Sequence, residues 1–175
     1  MTKEKRPVIY AFIDSQNLNL GSSKDIFRHQ KRIYEGWKLD FKRFRIYLSD
    51  KYRVKKAILF IGYIPNNRIL YQKLQKFGYE LVFKPTVMDT NGKVKGNIDA
   101  EVVLYSCNIE YSNYDKAIIV SGDGDFYCLY RFLISKHKLQ KILIPNRYSE
   151  STLLKEFQDY KDFINRDRAK LEFKP

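Results

Sequence analysis

Five short runs rich in β-branched and aromatic residues recur along the chain, and stretches of helical periodicity separate them. The runs are Val8 to Ile13, Ala57 to Ile64, Tyr79 to Phe83, Ala117 to Val120 and Ile142 to Ile144. Their continuous apolar character is the pattern of strands covered on both faces. Between them, apolar residues fall three and four apart: Leu39, Phe44, Tyr47 and Leu48; Ile69, Leu70, Leu74 and Phe77; Ala100, Val103, Leu104 and Cys107; Leu129, Phe132 and Leu133. Strands alternating with helices call for right-handed crossovers, which leave the strands parallel and sandwich the sheet between helical layers. The expected fold is a three-layer αβα, Rossmann-like domain with a central, mostly parallel sheet of about five strands. Ligands of such folds bind at the carboxyl ends of the strands, where the strand order reverses.

The chain has 175 residues, a length that suits one domain. Residues 1–165 are expected to form it, with 166–175 a charged, frayed tail. Gly78 closes one helix, Pro65 and Asn66 precede another, and Ser149 opens a last helix at Thr152 to Phe157. Met88 to Asn97 is turn-rich and basic and reads as an exposed loop. Cys107 and Cys128 have no metal-ligand spacing and are expected to be buried free thiols. No apolar run approaches the roughly 20 residues needed to cross a bilayer, so a cytoplasmic location is expected. Thirty-three Lys and Arg outnumber twenty Asp and Glu, giving a net charge of +13. That excess favours a polyanion as partner, with nucleic acid first.

Against this basic background, a few aspartates stand at the predicted strand ends. Asp14 ends the first run, in Phe12-Ile13-Asp14-Ser15-Gln16-Asn17-Leu18. Asp123 and Asp125 follow the fourth, in Ser121-Gly122-Asp123-Gly124-Asp125-Phe126, where two glycines let the backbone turn tightly. Each alone reads most often as a helix cap. If the first and fourth strands are neighbours, however, the three carboxylates meet. Asp99 begins the third helix three and four residues before Val102 and Val103, so it should point toward the sheet, with Glu101 turned to solvent. Like charges about 4 Å apart repel by roughly 4 kcal/mol at an effective dielectric near 20, so a cation should offset them. Hard oxygen ligands select Mg²⁺ or Mn²⁺.

With these residues assembled, the chain resembles the NYN family of PIN-like ribonuclease domains, in particular its LabA-like branch. The likeness rests on Ile13-Asp14-Ser15-Gln16-Asn17-Leu18, Lys95-Gly96-Asn97-Ile98-Asp99-Ala100-Glu101-Val102 and Ser121-Gly122-Asp123-Gly124-Asp125-Phe126. The resemblance implies a PIN-like sheet with the first strand beside the fourth. It also implies a catalytic, metal-holding set of Asp14, Asp99, Asp123 and Asp125, with Asn17 orienting a carboxylate or touching phosphate. The activity implied is that of a metal-dependent endoribonuclease. Ser15 stands where the family often has Gly. Tyr105 and Ser106 stand where many relatives carry a further acid, which leaves one Mg²⁺ or Mn²⁺ rather than two.

RNA is the expected partner, and a homodimer is left open. Lys93, Lys95, Arg68, Ser121 and Arg147, together with Lys84, are the candidate RNA contacts. Tyr63, Tyr71, Phe126, Tyr127 and Tyr148 are candidate stacking surfaces. Arg28, His29, Lys31 and Arg32 form a basic run that suits a solvated face or an RNA-facing loop. His29 and His137 have no partner spacing and receive no role. The competing reading is a catalytically degenerate PIN-like module that binds RNA or a protein. A Toprim-like phosphotransfer domain would want Glu where Asp14 stands, and a phosphatase would want a second Asp two residues after it.

Overall fold

The computed structural model describes residues 6–85, 87–88, 94–95 and 98–174, leaving aside the side chains of 87–88 and 94–95. Lys93, most of the Met88 to Asn97 segment and the first five residues lie outside the described residues. In chain order the elements are β1 (Ile9–Asp14), α1 (Ser15–Ser23), β2 (Ile26–Arg28), β3 (Lys31–Tyr34), α2 (Phe41–Tyr52), β4 (Val54–Gly62), α3 (Arg68–Lys76) and β5 (Tyr79–Lys84). There follow β6 (Val87–Met88), β7 (Val94–Lys95), α4 (Asp99–Leu104), β8 (Lys116–Val120), α5 (Tyr127–Ser135), β9 (Leu139–Ile144), β10 (Lys161–Phe163) and α6 (Arg168–Leu171).

The main sheet runs β10-β9-β8-β1-β4-β5, with every neighbouring pair parallel. The chain therefore fills one half of the sheet from β1 outward, crosses back, and fills the other half from β8. The expected neighbours of first and fourth strand are in place: Ile13 is level with Val120. A sixth strand, β10, extends the five that were expected. With three residues and no apolar run, it carries no signal of its own in the sequence.

Both faces of the central strands are covered. Ala11 and Ile13 of β1 pack with Phe44, Leu48 and Trp37 on one side, while Phe12 packs with Val102, Leu129 and Tyr130 on the other. Two helical stripes differ from expectation. In α3, Tyr71 and Leu74 are buried whereas Ile69 and Leu70 are exposed. In α4, Val102 and then Ser106 face the core while Val103 and Leu104 are exposed. The buried stripe there runs Ile98, Val102 and Ser106, four residues apart, and a π turn follows at Tyr105–Ile109.

Other corrections are local. Cys107 is half-buried and Cys128 exposed, because Cys128 lies on the outer side of α5. The helix expected at Thr152 to Phe157 is a 3₁₀ helix over Thr152–Tyr160, capped by Ser151 rather than Ser149, and the short α6 follows it. The charged end is docked rather than frayed: Leu171 is buried, its carbonyl accepts from Asp40 N–H at 2.9 Å, and Glu172 bridges Leu39. The basic run from Arg28 to Arg32 forms the tip of the antiparallel β2–β3 hairpin, with His29 and Gln30 at positive φ. Among the described residues no helix is long and apolar enough to cross a membrane.

Candidate metal centre

The reversal of strand order opens a crevice at the carboxyl ends of β1 and β8, and the side chains there are tied across it. Asp14 ends β1 and caps α1, its Oδ1 accepting from Asn17 N–H at 2.9 Å. Ser121, the residue after β8, donates toward Asp14 Oδ2 at 3.4 Å and accepts from Asp123 N–H at 3.2 Å. Asn17 Oδ1 accepts from Gly122 N–H at 2.8 Å, pinning the loop after β8 to α1. Asp123 in turn caps a 3₁₀ turn at Gly124–Phe126 by accepting from Asp125 N–H at 3.0 Å.

The two glycines serve close approach, and neither has a positive φ. A Cβ on Gly122 would lie 3.0 Å from Ile144 Cγ2, and one on Gly124 only 2.4 Å from Ser151 Oγ. Ser151 N–H donates to Gly122 carbonyl at 3.2 Å, so the segment after β9 closes over the turn.

Asp99 enters from the first turn of α4, one helical turn before the buried Val102. Its carboxylate and those of Asp123 and Asp125 offer oxygens that all lie within 4.8 Å of one another. Asp14 lies outside that trio but within its electrostatic reach. Burial raises its pKa from 3.8 to about 6; N–H groups of Asn17 and Gln16 oppose the rise, and the charges of Asp99 and Asp123 add to it. At 4.8 Å each pair of charges in the trio repels by about 3 kcal/mol at an effective dielectric of 20. An all-carboxylate donor set suits a hard divalent cation such as Mg²⁺ or Mn²⁺. One further observation fits a polar occupant: the Tyr130 hydroxyl, buried within electrostatic reach of Asp123, Asp14 and Asp99, makes no hydrogen bond among the described residues.

Other expected site residues take different places. Ser121 is fully buried, so it braces Asp14 and Asp123 and is out of reach of RNA. Asn17 holds the Gly122 loop. Lys84 is half-buried with Glu101, Nζ to Oε2 3.1 Å, so Glu101 is paired rather than turned to solvent. Arg68 opens α3 and is exposed; Arg147 is exposed and lies over its neighbour Tyr148, 4.6 Å from guanidinium to ring centroid. The side chains of Lys93 and Lys95 lie outside the described residues. Of the stacking candidates, Phe126 and Tyr71 are buried, Tyr71 giving its hydroxyl to the Gly62–Ile64 backbone. In the sequence Tyr130, between Leu129 and Leu133, carries only the signal of a core residue.

A family model described as the NYN domain matches residues 9–165. The fold is similar to a crystal structure of a protein of unknown function from Vibrio parahaemolyticus, with a TM-score of 0.71, 23% identity, and coverage of 95% of this chain and 98% of that one. A comparison with curated proteins gives no match. The family match begins with β1, ends beyond β10 and takes in all four aspartates, so the chain belongs to the NYN domain family.

Proposed function

We propose that this domain is a metal-dependent ribonuclease that hydrolyses RNA phosphodiesters at the carboxyl edge of its sheet. The observation that carries the reading is the trio of carboxylate oxygens from Asp99, Asp123 and Asp125, drawn within 4.8 Å from two separate elements. Membership of a nuclease-type, PIN-like family supports it.

Asp99, Asp123 and Asp125 would hold one Mg²⁺ or Mn²⁺, with Asp14 completing the pocket from β1. Such an ion, when bound, polarises a phosphoryl oxygen and makes water a better nucleophile. The protein's own part is positional. Ser121 and Asn17 fix Asp14 and the Asp123 loop to one another, so the carboxylates do not spread apart under their mutual repulsion. Without a cation, burial raises the pKa of the Asp14 carboxyl to about 6. Arg68 and Arg147 at the same edge, and the net charge of +13, draw and neutralise the RNA backbone without reading bases.

A second reading, an RNA-binding module without turnover, draws on Tyr105. Its ring packs edge-on against Phe60 at 5.4 Å and brings no carboxylate from that turn of the helix. One experiment separates the two. Labelled single-stranded RNA is incubated with the purified chain in Mn²⁺, in Mg²⁺ and in EDTA, alongside Asp123→Asn. The nuclease reading expects cleavage with metal, none in EDTA and none from the variant. Cleavage that survives Asp123→Asn, or RNA binding in EDTA with no cleavage under either metal, would overturn it.

A further inference from the structure

Tyr130 is the fourth residue of α5, is fully buried, and leaves its hydroxyl without a hydrogen bond among the described residues. Buried polar atoms almost always find partners, so an exception calls for a reason in its surroundings. Helical side chains lean toward the amino end of their own helix. Since α5 begins directly after Asp123-Gly124-Asp125-Phe126, the Tyr130 ring runs back toward the carboxylates. Its path is walled by Phe126 and Phe157, with ring centroids at 6.4 and 5.5 Å. After burial itself, the charges acting on the hydroxyl are those of Asp123, Asp14 and Asp99. Among the described residues the other two buried side-chain polar atoms without partners lie elsewhere: Trp37 Nε1 beneath Arg168, and Gln140 Oε1 near the amino end of β9, at the opposite edge.

We propose that Tyr130 is a positioning residue whose hydroxyl hydrogen-bonds a water in the shell of the hydrated cation and thereby tightens its binding. The inference rests on the metal centre proposed above. Mg²⁺ and Mn²⁺ sites built from a few carboxylates retain several waters, and the phenol is both donor and acceptor where the carboxylates only accept. Tyr130 thus gives the ion a fixed contact on the α5 side of the pocket.

Tyr130→Phe keeps the ring and its packing and deletes only the oxygen. Two quantities are measured without RNA: the Mn²⁺ dissociation constant by calorimetry, and the melting temperature in EDTA. The expected result is a Kd raised about tenfold or more, the usual effect of removing a group that orients a metal's shell. The melting temperature in EDTA should hold or rise by a few degrees, because the deleted hydroxyl had no partner. A Kd within twofold of the parent protein would overturn the inference. So would a lower melting temperature in EDTA, which would assign the hydroxyl a structural bond. Asp123→Asn serves as the control. If that variant loses Mn²⁺ binding while Tyr130→Phe keeps it, only the role of Tyr130 fails. If the parent binds no Mn²⁺, the metal centre itself fails.

Discussion

Replacing Asp14 with Asn should make the metal-free protein more stable, although it removes a residue of the proposed site. The carboxyl is 5% exposed, and burial is the largest cause of its raised pKa, 3.8 to about 6. In the unfolded chain it ionises at its ordinary value. Between about pH 4 and pH 6 the unfolded state therefore sheds a proton that the folded state keeps, and stability falls as pH rises through that window. Above it the penalty is constant, and two pKa units correspond to roughly 3 kcal/mol. Below about pH 4 both states are protonated and the penalty vanishes.

Asn is neutral throughout and nearly isosteric. Its Oδ1 can still accept from Asn17 N–H, keeping the cap of α1. Its amide nitrogen meets one acceptor, Ser121 Oγ, for two protons, which returns part of the gain. The expected net effect near pH 7.5 is about 2 kcal/mol, or roughly 4–8 °C in Tm for a domain of this size. At pH 4.5 it should shrink below about 1 kcal/mol. Calorimetric melting in EDTA at both pH values checks this. Unchanged melting at pH 7.5, or a stabilisation of the same size at both, would refute the argument that an ionised, buried Asp14 strains the fold. Mn²⁺ should reverse the ranking, since the ion stabilises by its affinity for the folded state and the parent holds it more tightly.

Gly124→Ala places a Cβ 2.4 Å from Ser151 Oγ and 3.0 Å from Leu153 Cδ1. It should cost about 1–3 kcal/mol in urea unfolding and, by displacing the turn, about 100-fold in metal-dependent cleavage. Leu171→Ala, at a residue 1% exposed, should destabilise by about 2–3 kcal/mol, measured the same way; a loss under about 0.5 kcal/mol would mean the docked end contributes nothing. Arg68→Ala combined with Arg147→Ala should weaken RNA binding evenly across sequences and flatten the slope of log K against log salt by about 2; an unchanged slope would remove both residues from the RNA path.

The sheet, and the placing of Asp14 and Asp123 at its carboxyl edge, were legible because they follow from strand order. Buried runs separated by helices dictate parallel strands, and the long crossover before Ala117 brings β8 beside β1, hence Asp123 near Asp14. What stayed hidden depends on departures from regular period or on atoms rather than residue types. The π turn at Tyr105–Ile109 follows α4, and no propensity marks it. β10 is held by its pairing with Ile142–Ile144, not by its own composition. Ser121 reads as polar and exposed, yet its hydroxyl is spent between Asp14 and Asp123. Glu101 and Lys84 are seventeen positions apart and meet only because β5 ends beside α4.

The framework of the site and its proposed chemistry are carried by largely different atoms. The loop after β8 is held through backbone groups of Gly122, its N–H by Asn17 and its carbonyl by Ser151, together with the fit of two glycines against Ile144 and Ser151. Of the trio proposed to face the metal, Asp123 enters this brace through one oxygen that caps its own turn. Elsewhere a buried acid is fully met: Glu110 has Lys56 at 2.7 Å and Asn113 at 2.9 Å. At the switch point the pKa of the Asp14 carboxyl is raised to about 6 in spite of its bonds from Asn17 N–H and the Ser121 hydroxyl, and the buried Tyr130 hydroxyl has no hydrogen bond among the described residues. Natural folds keep such local conflicts mainly where function needs them. Because the Gly122 backbone and the fit of the two glycines hold the loop, neutralising Asp125 should remove charge from the site while leaving the turn in place, so loss of activity in that variant can be read as lost chemistry.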